Sequence, residues 1–367
     1  MKLNRGDITK KLRRAKQTML KFHFIGKPFY FVIALLLLCS HDLYIKMETY
    51  FLETNQKATL SLYNGTFEAS ENIIDRNRML DASIIANGKK VPINPNKWKD
   101  QDSTITQLSF NTGEAGTYVA GVSTKARNID LNADKFNSYL KHDGVLDMLE
   151  KRTKENQLNQ DAVERYEKHV KAIYQVGEIK TNDWSTKLGY PIEFVPQANP
   201  YEKYSGEKLQ VQLLLNGKPL ANGLVFADFV NGANGHTHDD HSHDHDQEGH
   251  SHNHKSQSAE AHTHTGGQQL RTDTQGMINV DLPEDGIYYL RTIHMTEAND
   301  SDTLTHRSKW ATLTFEVTHK HDISTHNHDH EHDHEHEGGI STWMFVLASF
   351  LIIGVLFFIF SKRNNDA

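Results

Sequence analysis

Residues 58–68 read ATLSLYNGTFE. Ala58, Leu60 and Leu62 are apolar at every second position and an Asn-Gly pair follows, so the stretch predicts a half-buried strand closed by a tight turn. The same pattern recurs on the C-terminal side in LDASIIANGKKVPI (80–93) and STITQLSFNTGEAGTYVAGVST (103–124). It returns from Tyr190 in YPIEFVPQANP (190–200), KLQVQLLLNGKPLANGLVFADF (208–229), GMINVDLPEDGIYYLRTIHM (276–295) and KWATLTFEVT (309–318). Short strands punctuated by NG and Gly-rich turns predict a mainly β chain built as two antiparallel β-sandwiches, at 41–125 and 181–319.

Between them the period changes. Phe136 and Leu140, Leu146 and Leu149, and Val163, Tyr166, Val170 and Ile173 recur at helical spacing. With Asn132 and Asn159 as candidate N-caps, residues 126–180 read as an insertion of two or three short helices.

The 367 residues suffice for two ordinary domains, and a net charge of −7 gives no reason to propose a nucleic-acid partner. Nine Lys and Arg side chains, from Lys2 to Lys27, precede the apolar run FYFVIALLLLCS at 29–40. A basic segment followed by so short an apolar one predicts a secretory signal over 1–40. Cleavage after Ser40 makes His41 the new N-terminus. Cys39 is the only cysteine, so the exported chain has neither disulfides nor thiolate metal ligands. At the other end ISTWMFVLASFLIIGVLFFIF (340–360) carries no charge and is followed by Lys362 and Arg363. Twenty-one residues at about 1.5 Å each span a hydrocarbon core of about 30 Å. A C-terminal transmembrane helix at 340–360 and a cytoplasmic tail at 361–367 follow, with the body outside the cytoplasmic membrane.

Of 24 histidines, ten fall in the tract 236–264 and eight between His319 and His336. The first tract, a loop of the second sandwich, holds His236, His238, His241, His243, His245, His250, His252, His254, His262 and His264. The linker 320–339 holds His326, His328, His330, His332, His334 and His336, interleaved with Asp and Glu. Neutral imidazole suits borderline divalent ions, nickel, cobalt, zinc or copper, and the carboxylates offset accumulating positive charge. Both tracts lack the apolar residues needed to hold one geometry, so they read as disordered metal collectors.

As an ordered series, His41–Asp42, GYPIEFVPQANP (189–200), SGEKLQVQLLLNGKPLANGLV (205–225), TDTQGMINVDLPEDGIYYLRTIHM (272–295) and KWATLTFEV (309–317) resemble a bacterial family of extracytoplasmic domains of unknown function associated with nickel and cobalt uptake. NGKPLANG and TDTQG also resemble turns of transthyretin-like modules, which makes the expected sandwiches Ig-like or transthyretin-like. The resemblance implies a metal-handling accessory protein and no defined enzyme. No nucleophile elbow, P-loop or dinucleotide fingerprint is present. The expected function is therefore a membrane-anchored collector of divalent metal for a membrane transporter. A protective buffer or efflux adaptor, or a structural sandwich with incidental tracts, are the alternatives. The α-amine and imidazole of a processed His41 form a chelate, for which His294 is the expected third ligand and Asp42 a ligand or supporting partner.

Overall fold

A computed structural model describes residues 42–231 and 266–319. The leader, His41, nearly all of both histidine tracts and the apolar run 340–360 lie outside them. No helix among the described residues is long and apolar enough to cross a membrane.

The chain enters as β1 (Asp42–Lys46), β2 (Phe51–Leu52), β3 (Lys57–Gly65) and β4 (Ser70–Asn72). Then come β5 (Met79–Ala86), β6 (Lys89–Pro92), β7 (Lys99–Gln101), β8 (Ile105–Asn111), β9 (Gly116–Thr124) and β10 (Arg127–Leu131). Two helices, α1 (Ala133–His142) and α2 (Leu146–Lys154), precede the long β11 (Ala162–Val176). The remainder is β12 (Ile192–Pro196), β13 (Glu207–Leu215), β14 (Lys218–Pro219), β15 (Leu224–Val230), β16 (Gln268–Arg271), β17 (Met277–Leu282), β18 (Gly286–Glu297) and β19 (His306–Val317). The fold is mainly β.

Local chemistry accounts for many of these elements. Ala58, Leu60 and Leu62 of β3 are buried and alternate with half-buried neighbours. Asn87–Gly88, with φ of 50° and 73°, joins β5 to β6, and Asn216–Gly217, at 50° and 75°, joins β13 to β14. Positive φ at both central residues is what a two-residue hairpin requires. Asn64–Gly65 departs from the expected turn. It lies within β3 at a bulge against β4, where a Cβ on Gly65 would stand 2.2 Å from the Ala69 carbonyl oxygen. In α1 the Asn132 side chain accepts from the Lys135 amide, as an N-cap does, and Phe136 and Leu140 are buried.

The third predicted helix is a strand. Val163, Tyr166, Val170 and Ile173 belong to the fifteen-residue β11, and Asn159 caps nothing. Their three- and four-residue spacing is incidental. Glu164, Lys168, His169, Lys171 and Gln175 are buried on its two faces, so polar residues stand where an apolar alternation would have signalled a strand. Its neighbours decide its conformation: β11 pairs in parallel with β19 and antiparallel with β9 and β10.

That pairing also joins the two halves. The central sheet has ten strands in the order β16-β15-β18-β19-β11-β9-β5-β6, with β10 and β2 also on β11. The segments 41–125 and 181–319, expected to close as separate sandwiches, therefore contribute to one continuous sheet. A five-stranded sheet (β1-β3-β8-β7 with β4) covers one face, and a four-stranded sheet (β12-β13-β14 with β17) covers the other. Residues of β11 identify the faces. Tyr174 packs on Phe110 of β8, whereas Lys171, three residues away and so on the opposite face, donates to the Phe194 carbonyl of β12 at 2.9 Å. One apolar core runs through these layers, and a second surrounds Trp310 and the two helices.

Candidate functional site

At one end of the central sheet the register aligns Val230 with Ile287, Ile287 with Glu316, and Gly286 with Val317. β15 ends at Val230, six positions before His236 opens the first histidine tract in the sequence, and His319 opens the second tract just beyond Val317. β15 and β19 are separated only by β18, so the two departure points are about 10 Å apart across the sheet. The chain also returns from the first tract here: Gly266 and Gly267 lie against Asp228, and a Cβ on Gly267 would stand 2.4 Å from the Ala227 carbonyl oxygen. His319 Nδ1 is hydrogen-bonded to Asp285 in the turn before β18. Sequence positions almost ninety residues apart thus share one end of one sheet. The other tract histidines lie outside the described residues.

From that end a cleft of about 460 Å³ runs along the face covered by the five-stranded sheet. Tyr44, Phe67, Phe226 and Tyr289 form its aromatic walls, with Phe67 stacked on Tyr289 at 4.3 Å. Glu68, Glu71 and Asp228 line it with carboxylates, and Arg291 is at its inner end.

Beyond Arg291 is a buried polar cluster. Asp42 and Arg291 are each only 2% exposed and meet at 2.6 Å. The Tyr44 hydroxyl also donates to Asp42, at 3.1 Å, and a second Arg291 nitrogen donates to the Asp143 carbonyl at 2.5 Å. Asp42 is therefore oriented by a guanidinium. On the same face of β11, burial pushes Lys168 down to about 8, although Asp42 partly opposes this. Burial raises Glu164 to about 7, against hydrogen bonds from Ser308 and Tyr139. Its Oε2 has no hydrogen-bond partner among the described residues.

Glu164 carries a pH prediction. A folded value near 7 above an unfolded one of 4.5 means that folding retains a proton between the two. Stability is then lost as pH rises from about 4.5 through 7, by about 3 kcal/mol at most. Glu164→Gln removes that ionisation, so it is expected to raise stability at pH 8 by about 1–3 kcal/mol and to make no gain at pH 5. Denaturant midpoints of the two proteins across this range check it, and a Gln variant less stable at pH 8 than at pH 5 relative to the parent would refute it.

His294 falls elsewhere. It is three residues from Arg291 in a strand whose register has no break, so its side chain leaves the opposite face of β18 from the one that meets Asp42. The expected grouping of Asp42 with His294 is not formed. Burial and the charge of Lys309 lower the pKa of His294, and it lines a separate pocket of about 240 Å³ with Met148, Met295 and Asn222. Among the described residues no group of three or more His, Cys, Asp or Glu side chains is arranged to hold a metal. His41 lies outside them.

Sequence reasoning missed Arg291, Glu164, Lys168 and the buried pair Lys171–Glu193, at 2.9 Å. A signal was present, since Arg291 and Lys171 interrupt apolar runs in IYYLRTIHM and VKAIYQV where an unpaired charge would be costly.

A family model described as a domain of unknown function, DUF4198, matches residues 38–296. No curated protein matches the sequence. The solved structures similar to the chain include the adhesin InvE of Yersinia pseudotuberculosis, at 13% identity and a TM-score of 0.18. That match covers 75% of this chain and 58% of the adhesin chain. The D0-D1 domain of intimin matches at 8% identity and a TM-score of 0.16, over 75% of this chain and 97% of that one. A Salmonella alpha-2-macroglobulin matches at 8% identity and a TM-score of 0.20, over 75% of this chain and 15% of that one.

Proposed function

The chain belongs to the DUF4198 family, whose function is unknown, and from the chemistry of its histidine tracts we propose that it is a membrane-anchored accessory protein. It collects divalent transition-metal ions, nickel, cobalt or zinc, outside the cytoplasmic membrane and presents them to a membrane transporter. The observation that carries this reading is the shared departure point: two imidazole-rich segments leave neighbouring positions at one end of a rigid sheet. Ligand-rich segments attached about 10 Å apart raise one another's effective concentration, so an ion released by one tract is readily recaptured by the other.

The leader at 1–40, the span at 340–360 and the Lys362–Arg363 flank support export and anchoring. The second tract directly precedes that span in the sequence, which favours delivery at the membrane surface. We assign a binding role rather than a catalytic one, and treat each half of the layered β structure as an Ig-like or transthyretin-like sandwich fused through the common sheet. The nickel and cobalt association rests on the sequence resemblance.

Direction of flux is tested in the host under limiting metal. Cells in which the tract histidines are replaced with Gln are expected to accumulate less nickel or cobalt than cells with the native chain. Greater accumulation would point instead to a buffer or efflux adaptor.

A further inference from the structure

The aromatic cleft rests on four side chains of two neighbouring strands. Register sets Phe226 beside Arg291 and Asp228 beside Tyr289, and residues two apart on one strand share a face. Tyr44 of β1, with Phe67 and Glu68 from the connection between β3 and β4, closes the cleft from the five-stranded sheet. Its volume of about 460 Å³ suits a small organic molecule.

The charges decide which kind. Arg291 is offset within the protein by Asp42 and donates to the Asp143 carbonyl. Glu68 is exposed and Asp228 half-buried, and neither is ion-paired among the described residues. Asp228 accepts from the Phe229 amide through Oδ1 at 2.9 Å. Burial, then the charges of Asp228 and Glu68, raise the pKa of the Tyr289 hydroxyl, so both carboxylates act on the same part of the cleft. An anion would be repelled by them, and a neutral apolar guest would draw Asp228 out of water with no counter-charge. The fold already seats one ammonium against this aromatic cluster. Lys46 Nζ lies 4.5 Å from the ring centres of both Tyr63 and Phe67 and donates to the Phe67 carbonyl at 2.6 Å.

From this charge complementarity we propose that the cleft binds a free alkylammonium ion, with its methylene stem against the aromatic walls and its ammonium group between Asp228 and Glu68. The site goes beyond the metal-collecting reading and does not rest on it.

Calorimetric titration of the full-length chain at pH 7.5, kept metal-free by a chelator, compares n-hexylammonium, hexan-1-ol and hexanoate, which share a stem and differ in charge. The native chain is expected to bind one hexylammonium ion with a Kd below about 1 mM, and the alcohol and the anion at least about tenfold more weakly. Asp228→Asn is expected to weaken hexylammonium at least about tenfold, through loss of a charge-assisted bond. Glu68→Gln, at an exposed position, weakens it about threefold. If Asp228→Asn lowers the melting temperature, Glu68→Gln alone decides. Ammonium held loosely by the Asp and Glu of the tracts is common to all these proteins and cancels in the comparison. No saturable binding by the native chain, equal binding of the alcohol, or unchanged affinity in the deciding variant would overturn the site.

Discussion

Arg291→Met is expected to lower the folding free energy by about 3–5 kcal/mol, a large fraction of the stability of a domain of this kind. Arg291 and Asp42 are both almost fully buried, and the same guanidinium holds the Asp143 carbonyl. Removing it takes away the nearest compensating charge from a carboxylate that has left water, and it releases a main-chain acceptor at the end of α1. Methionine fills similar volume, so little of the loss comes from a cavity. Burial of the ring of Phe226, 5.2 Å from the guanidinium carbon, is retained. Adding Asp42→Asn to Arg291→Met is expected to recover part of the loss, because the uncompensated charge disappears. Chemical denaturation of the three variants measures this, and a single-variant loss below about 1 kcal/mol would show that the pair does not fasten β1 to β18.

Metal capacity at the tracts is expected to collapse on acidification. An imidazole with a pKa of about 6.5 is roughly nine-tenths unprotonated at pH 7.5 and about one-tenth at pH 5.5. An ion held by two such ligands then loses about a hundredfold in apparent affinity across that interval, and one held by three loses more. Carboxylate-led binding behaves differently, because Asp and Glu stay ionised to about pH 5. The interleaved Asp and Glu of the second tract are therefore expected to act chiefly as counter-charges, and binding that persists undiminished at pH 5.5 would reverse these roles.

How far the fold is legible depends on whether its cause is local. The alternation of Ala58, Leu60 and Leu62, the Asn87–Gly88 and Asn216–Gly217 hairpins and the Asn132 cap are each decided within a few residues, and each is present where the sequence predicts it. β11 is decided by its partners. Its buried Glu164, Lys168 and Lys171 hide the strand period, and only the pairing with β19 more than one hundred positions away makes it a strand. That same pairing fuses the two halves, which no local pattern announces. Asn64–Gly65 shows the converse limit, since a dipeptide that turns the chain elsewhere serves in β3 as a bulge under a close backbone approach.

For the candidate site, the histidine enrichment is plain in the composition and its placement is not. The tracts are visible as tracts, but that both depart from one sheet end follows only from the register Val230–Ile287–Glu316. Asp42 is expected as a ligand or supporting partner of a metal chelate, whereas the partner the structure gives it is 249 positions away and is a cation. The face that His294 takes is set by Arg291, three residues earlier in β18, which occupies the face that meets β1.

Equilibrium dialysis against nickel tests the metal-collecting account most directly. It compares the full-length chain with one in which the histidines of 236–264 and 319–336 are replaced by Gln, at pH 7.5 and 5.5. The account predicts several ions per native chain at pH 7.5, at most about one after replacement, and almost none in either protein at pH 5.5, with the melting temperature of the metal-free β layers unchanged. Equal numbers of bound ions with and without the tract histidines at pH 7.5 would contradict it.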